Sequence, residues 1–377
     1  MRYYISPEKR YGNQFYDFAK SFQKIAIEID EKPEHISNYI DLSGINYMLH
    51  DRNKSAHERV QYFEALSYGD PGVILASPGP SLSGLLLQEL GTKEQVDLFY
   101  TTIQHNKMHT FFGLTEPNKG SDANNIESTL CRVSENQYSL CGTKSFFGNG
   151  AVGKTGVLFA KIAPGPLGVR AVWMTPEILS NSNIKKLTLP LFGLRGAQIA
   201  AMEFNDVLIP HENILGQHLS ACENGMLGIM KVFHRLRAGI GAMAIGQAQM
   251  VYDAFYLQYH QNTTLNSLFS QLHFDLETAR NLLRSAALEV DQNSLKSTLV
   301  SIAKTVATHT AEKVISACIN EFKINTLLEN PLILKAYRDV FCWEFMEGTS
   351  TIQKIVIARS IEQKVTEIKL NLTGERI

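Results

Sequence analysis

The hydrophobic period of this chain changes twice, and that double change constrains the fold more than any other feature. From about residue 12 to 110 apolar residues recur at i, i+3 and i+4, as in "HERVQYFEALSYG" and "TKEQVDLFYTTIQ", the spacing of one helix face. The break "SPGPSLSG" at residues 77–84 reads as a loop between them. Between about 111 and 216 the texture becomes short β-branched and aromatic runs separated by Gly, Pro and Asn: "QYSLCGTKSFF", "GVLFAKI", "VRAVWMT" and "AAMEFNDVLIP". Beyond that the helical period returns in longer stretches. "MLGIMKVFHRLRAGIGAMAIGQAQMVYDAFYLQYHQ" carries Gly239, Gly241, Ala242, Ala244, Gly246 and Ala248, small residues that let helices approach closely in a bundle. Further helical patterns near 268–290, 296–322 and 350–365 bring the number to four. The expectation is an α+β chain: an N-terminal helical domain (1–110), a middle antiparallel β domain (111–216) and a C-terminal four-helix bundle (217–377).

Composition narrows the function classes. A chain of 377 residues that is 44% hydrophobic can bury one large core or a few coupled domains. Lys and Arg number 36 against 37 Asp and Glu, which leaves no electrostatic footprint for nucleic acid or an anionic membrane. Five scattered cysteines (Cys131, Cys141, Cys222, Cys318, Cys342) form no CxxC pair, which argues against a disulfide framework or zinc knuckle. The opening "MRYYISPEKRYGNQF" lacks the apolar core of a signal peptide, and no apolar stretch reaches the length of a membrane span. The expected setting is the reduced cytoplasm.

"GNGAVGKTG" at 148–156 matches the phosphate-binding loop of nucleotide triphosphatases, with Gly148, Gly153, Lys154 and Thr155 in register. That loop works only between a strand and a helix whose N-terminus faces the phosphates. Here a short apolar run follows and ends at "APGP", which describes a strand, so a strand–turn–strand connection is expected and ATP binding is not. His105 and His109 stand four apart, a zinc-compatible helical spacing, but without a third ligand they read as a solvated helix face. His211 reads as surface, and no Gly-x-Ser-x-Gly elbow points to a hydrolase.

Four collinear stretches carry a resemblance: "GLTEPNKGSD" (113–122), "GLRGAQIAAMEFNDVLIPHENILG" (193–216), "FHRLRAGIGAMAIGQA" (233–248) and "RDVFCWEFMEGTSTIQKIVIAR" (338–359). Together they resemble the acyl-CoA dehydrogenase family across about residues 60–365. The resemblance implies an FAD enzyme that removes two hydrogens across the α and β carbons of an acyl thioester. A thioester α-proton is weakly acidic, so the chemistry needs a carboxylate in a dry pocket that raises its pKa. It also needs hydrogen bonds to the developing enolate oxygen, and the hydride goes to the flavin. Glu347 in "FMEGTS" matches the position of the family's base. Read from the residues alone, Glu347 merely precedes a helix capped by Thr349 or Ser350, with Gly348 allowing the turn.

The resemblance further assigns Phe112, Leu114 and Thr115 to the isoalloxazine ring, and Gly120 and Ser121 to the pyrophosphate and pantetheine turn, although Pro117 and Gly120 alone would specify a turn. Phe146 takes the place of a tryptophan on the ring. Gly148 stands where dehydrogenases carry a threonine bonded to flavin N5; a glycine there is similar to the acyl-CoA oxidase branch, or is a strand end needing Gly. Thr349 and Thr351 are the remaining adenine-side residues. Arg237 matches an arginine at the phosphopantetheine entrance, and a solvated helix charge is its plain alternative; with Ser121 and Gly348 it makes the expected substrate contacts.

The bundle departs from the family. "YHQNTTLNSLFSQLHFDLETAR" lacks the Arg and Phe-Gly that grip the ADP half of FAD, and "EFKINTLLENP" replaces a Gly-Gly loop. Such trimming resembles members that oxidise small polar acyl groups of the hydroxy- or amino-malonyl type on an acyl carrier protein in polyketide or nonribosomal peptide assembly. The alternatives are a fatty acyl-CoA dehydrogenase or oxidase and, in another class, a cofactor-free scaffold for acyl thioesters or carrier proteins. Expected partners are the thioester, an electron-transfer flavoprotein or oxygen as acceptor, and a second copy or more of this chain as homodimer or homotetramer. No metal is expected.

Overall fold

The computed structural model describes residues 3–220, 223–224 and 226–373; Cys222 lies outside the described residues. Among the described residues seven helices lead: α1 (Pro7–Tyr11), α2 (Asn13–Glu31), α3 (Ser43–Leu49), α4 (Ala56–Gly69), α5 (Pro71–Ala76), α6 (Ser81–Leu90) and α7 (Lys93–Asn106). Seven strands follow: β1 (Thr110–Gly113), β2 (Thr129–Arg132), β3 (Gln137–Phe147), β4 (Thr155–Lys161), β5 (Val169–Met174), β6 (Ile184–Thr188) and β7 (Ala200–Pro210), with the short helix α8 (Pro176–Leu179) after β5. The last part is α9 (Met226–Tyr259), α10 (Asn266–Gln292), α11 (Thr298–Glu321), α12 (Ile324–Glu329), α13 (Pro331–Asp339) and α14 (Ser350–Thr373), with a 3₁₀ turn at Val340–Phe345.

The chain forms two compact units, one of residues 7–54 and 65–233, the other of residues 3–6, 55–64 and 234–373. In the first, the strands form one sheet ordered β1-β4-β2-β3-β7-β6, with β5 also on β4. An antiparallel sheet was expected, and β2–β3, β3–β7, β4–β5 and β6–β7 are antiparallel. The pairings β1–β4 and β2–β4 are parallel, so the sheet is mixed. Residues 114–154 separate β1 from β4, a crossover long enough for parallel pairing, and the four residues of β1 carry too little pattern to announce it.

Alternation along β7 builds the core: Ala200, Met202 and Phe204 point inward, the register shifts opposite Leu140–Gly142, and Val207 and Ile209 resume the inward phase. Asp206, at φ 52, takes up the bulge. Thr92 and Gln95 close a capping box at the start of α7. The loop expected over 77–84 is shorter, because α6 begins at Ser81. Gly84 sits inside that helix because a Cβ there would lie 2.7 Å from Tyr100 Oη.

In the second unit the small residues of α9 do what their spacing predicts. A Cβ on Gly241 would lie 2.6 Å from Leu283 of α10 and 3.1 Å from Ala307 of α11, so glycine permits the approach of all three helices. Arg280 is buried among them and donates to Glu64 Oε1 at 2.6 Å and Gln249 Oε1 at 2.7 Å. The stretch "EFKINTLLENP" folds as α12 and the start of α13, with Pro331 at a first helical position where its missing N–H costs nothing.

Candidate active site

The site in the bundle unit is a turn. After the 3₁₀ turn the chain reverses through Glu347 at φ 55 and Gly348 at φ 93, then enters α14 with Thr349 as N-cap, its Oγ1 accepting from the Ile352 N–H at 3.4 Å. Glycine adopts that conformation freely, whereas a left-handed glutamate costs about 1–2 kcal/mol. The plain reading of "MEGTS" as a turn and cap is therefore correct, and it coexists with an unusual placement of Glu347.

Reversal leaves carbonyl oxygens pointing away from any helix ladder, and side chains from three helices take them up. Arg237 of α9 donates through Nε to the Glu347 carbonyl at 3.2 Å, and through Nη1 to Ser301 Oγ at 3.4 Å. Gln353 of α14 donates through Nε2 to the carbonyls of Glu347 and Gly348 at 3.0 and 3.1 Å. Lys304 of α11 donates to the carbonyls of Glu344 and Gly348, both at 3.0 Å. Glu344 in turn accepts from the Ser350 N–H at 2.7 Å and the Ser350 hydroxyl at 2.6 Å. His309 Nε2 stands 3.4 Å from the same hydroxyl.

The Glu347 carboxyl itself is not tied down. Its Oε2 is closed to water and has no hydrogen-bond partner among the described residues. Burial pushes its pKa up to about 7, against the Arg237 and Lys304 charges that pull it down. Burial lowers Lys304 to about 8, opposed first by the Glu344 carboxylate and then by Glu347 while Arg237 pulls it down further; burial lowers Arg237 to about 10, opposed by Glu347. Glu344 is held below the usual range: burial raises it, but the Ser350 hydroxyl and N–H outweigh that. His234, one helical turn before Arg237, donates from Nδ1 to the Ser294 carbonyl at 2.8 Å and is pushed down to about 4 by burial and by Arg237. A half-buried carboxyl with one oxygen closed to water and its pKa raised to about 7 is suited to take a proton from a weak carbon acid at neutral pH.

Arg237 is thus not a solvated helix charge; it is 3% exposed. Lys304, Gln353, Ser301 and Glu344 were not anticipated. For Lys304 a signal existed: it falls on the apolar stripe Val300, Ala303, Ala307, Ala311, Val314 of α11, where a solvated lysine has no place.

The residues assigned to the flavin ring lie in the other unit. Phe112 packs edge-on to Phe159 and Phe233 with ring centroids 5.0 and 5.6 Å apart. Leu114 is buried, and the Thr115 carbonyl accepts from the Ser145 N–H at 2.9 Å. Gly120 and Ser121 are exposed loop residues. Glu116, earlier in the same stretch, is buried, accepting from Lys144 Nζ at 2.7 Å and Ser128 Oγ at 2.6 Å. Phe146 holds a left-handed backbone (φ 61) at the end of β3 with 60% of its surface exposed, an unusual display for a large apolar ring. Gly148 has no left-handed φ, so the strand end does not require glycine; a Cβ there would stand 3.3 Å from the Ala197 carbonyl oxygen. The open Phe146 face and the bare Gly148 fit a flat aromatic group. In the bundle unit, Thr349 Oγ1 accepts one bond in the helix cap and Thr351 is exposed.

The triphosphate motif is a turn between β3 and β4. Thr155 opens β4 and its hydroxyl bonds the Met174 carbonyl at 2.9 Å and Trp173 Nε1 at 3.0 Å, so no helix N-terminus faces the loop. His109 leaves the helical face expected of it: α7 stops at Asn106, and His109 Nε2 bonds the Ala76 carbonyl at 2.8 Å. No cluster of three metal-ligating residues occurs among the described residues, and no helix there is long and apolar enough to cross a membrane.

Comparison with known proteins accounts for this architecture. Residues 111–207 match the acyl-CoA dehydrogenase middle domain and residues 223–362 the acyl-CoA dehydrogenase C-terminal domain. A short-chain specific acyl-CoA dehydrogenase of Clostridium acetobutylicum is 28% identical over 306 residues, covering 78% of each chain. Butyryl-CoA dehydrogenase from Megasphaera elsdenii has the same fold, with a TM-score of 0.79 at 24% identity over 92% of this chain and 97% of its own. So does the prolyl acyl carrier protein oxidase AnaB, with a TM-score of 0.79 at 19% identity over 93% and 99%. The chain belongs to the acyl-CoA dehydrogenase family.

Proposed function

We propose that this protein is an FAD-dependent dehydrogenase of acyl thioesters in which Glu347 takes the α-proton. The observation that carries the reading is the buried, unpartnered Glu347 Oε2 on a carboxyl whose pKa is raised to about 7. A scaffold that only binds would gain nothing from a carboxylate whose burial costs free energy. Bound FAD would accept the hydride from the β carbon. Phe112, Leu114, Thr115, Phe146 and Gly148 would hold its ring, Gly120 and Ser121 its pyrophosphate, and Thr349 and Thr351 would take the adenine side. Ser121, Arg237 and Gly348 are the proposed substrate-side contacts. Arg237, Gln353 and Lys304 hold the main chain of the Glu347 turn, which keeps the carboxyl in place without neutralising it.

The substrate we favour is a small polar acyl group, of the hydroxy- or amino-malonyl type, on an acyl carrier protein in the assembly of a polyketide or nonribosomal peptide. The trimmed bundle loops and the shared fold with a carrier-protein oxidase support it. A fatty acyl-CoA substrate is the alternative, supported by the acyl-CoA relatives. The missing ADP-side motifs favour the second reading, a cofactor-free scaffold that binds acyl thioesters or carrier proteins. The absent Gly148 side chain supports oxygen, beside an electron-transfer flavoprotein, as acceptor. The proposed setting is the cytoplasm and the proposed assembly a homodimer or homotetramer, with 1–110, 111–216 and 217–377 as domains. The test is anaerobic bleaching of the flavin by carrier-bound and CoA-bound thioesters, in the wild type and in Glu347→Gln.

A further inference from the structure

The Glu347 turn has an unusual anchor. A left-handed glutamate persists only where its surroundings over-determine it. Arg237 and Gln353 hold the turn at Glu347 and Gly348, but one cation spans it: Lys304 Nζ reaches the carbonyls of Glu344 and Gly348, the two sides of the reversal, at 3.0 Å each. Lysine is almost never fully buried in folded proteins unless paired, and Lys304 is fully buried with two main-chain carbonyls and, among the described residues, no directly bonded carboxylate. A buried ammonium bonded only to peptide oxygens is a costly arrangement for a helix that an apolar residue would pack as well.

We propose that Lys304 is a positioning residue of this site: by bridging the Glu344 and Gly348 carbonyls, on the two sides of the reversal, it helps to hold Glu347 in the left-handed conformation that places its carboxyl. The proposal rests on the reading of Glu347 as the base. The charged and titratable groups that face the pair are Arg237 from α9, with His234 one turn before it, Glu344 from the 3₁₀ turn, and His309 of α11 through Ser350. Of these, Arg237 remains charged across the neutral range, so Lys304 is the cation whose state changes near pH 8. Its charge favours the Glu347 carboxylate, and losing it moves the Glu347 titration upward.

The experiment compares Lys304→Met, Lys304→Gln and Lys304→Arg in the protein as purified. Gln keeps amide N–H donors without the charge; Arg keeps both. Glu347 is followed by carboxyl carbon NMR, its signal assigned by loss in Glu347→Gln. The expected result is a higher titration point for Glu347 in the Met and Gln variants and little change in Arg. Turnover of Lys304→Met should fall about ten- to hundredfold with KM changed by less than about threefold, as for a displaced catalytic group. The acidic limb of its pH profile should move upward. A folded Lys304→Met protein with wild-type Glu347 titration and profile overturns the proposal.

Should the Lys304 variants not fold, the reciprocal measurement needs no change at 304. Lysine Nζ NMR should show Lys304 losing its proton at lower pH in Glu347→Gln than in the wild type, and an unmoved Lys304 overturns the coupling. Unimpaired bleaching by Glu347→Gln would sink the base assignment while leaving the NMR coupling intact. A wild-type profile for Lys304→Met, in an enzyme that Glu347→Gln inactivates, would sink only Lys304.

Discussion

Arg237 holds Glu347 by its backbone and not by its carboxyl: the guanidinium Nε lies 3.2 Å from the carbonyl oxygen of Glu347, while the Oε2 of the same residue has no hydrogen-bond partner among the described residues. A cation paired directly with the carboxylate would lower its pKa and blunt it as a base. Holding the peptide instead fixes the position, and burial outweighs the downward pull of the nearby Arg237 and Lys304 charges.

Replacing Arg237 therefore acts on position. Arg237→Lys retains the charge but loses the fixed fork that serves both the Glu347 carbonyl and Ser301. Turnover is expected to fall about ten- to hundredfold, the cost of a small misplacement, with flavin content unchanged. Steady-state kinetics beside flavin quantification checks this; wild-type turnover would show that the contact positions nothing.

The raised pKa of Glu347 has a stability consequence with a definite sign. Unfolded, the carboxyl ionises near 4.5; folded, it ionises near 7. Between those values the folded state keeps a proton that the unfolded state has released, so stability falls as pH rises through that window, by about 3 kcal/mol in total. Glu347→Gln removes the loss. Chemical denaturation should find the variant more stable than the wild type at pH 8, with a smaller advantage at pH 5. An equal difference at both pH values would mean that the carboxyl is not held protonated by the fold.

In the β unit, Lys144 and Glu116 form a buried pair at 2.7 Å, with side chains 1% and 2% exposed. Breaking such a pair strands one charge and typically costs about 3–5 kcal/mol. Lys144→Met is expected to destabilise by that order, and Lys144→Met with Glu116→Gln by less, because Gln can still bond Ser128. Urea midpoints of the three proteins decide it; a larger loss in the double variant would contradict the pairing.

What the sequence made legible, and what it did not, follows from where each signal lives. The eleven residues "QYSLCGTKSFF" coincide with β3 because aromatic and β-branched content bounded by turn residues is a local signal. The turn at Gly348 and the Thr349 cap were legible for the same reason. Whether β1 lies parallel to β4 depends on chain more than forty residues away, and nothing within "TFFG" encodes it. The burial of Arg237 was invisible because its partner carbonyl is 110 positions distant. Lys304 is legible only as a charge on the apolar stripe of α11; that it reaches the Glu344 and Gly348 carbonyls depends on chain forty and more positions away.

The most direct test of the account is the anaerobic visible spectrum of the freshly purified protein before and after a small acyl thioester, run beside Glu347→Gln with FAD quantified after denaturation. The account predicts near-stoichiometric FAD in both, prompt bleaching in the wild type and bleaching slowed by about a hundredfold or more in the variant, the usual worth of a general base. A colourless protein that FAD cannot reconstitute, or a variant that bleaches as fast as the wild type, would contradict it.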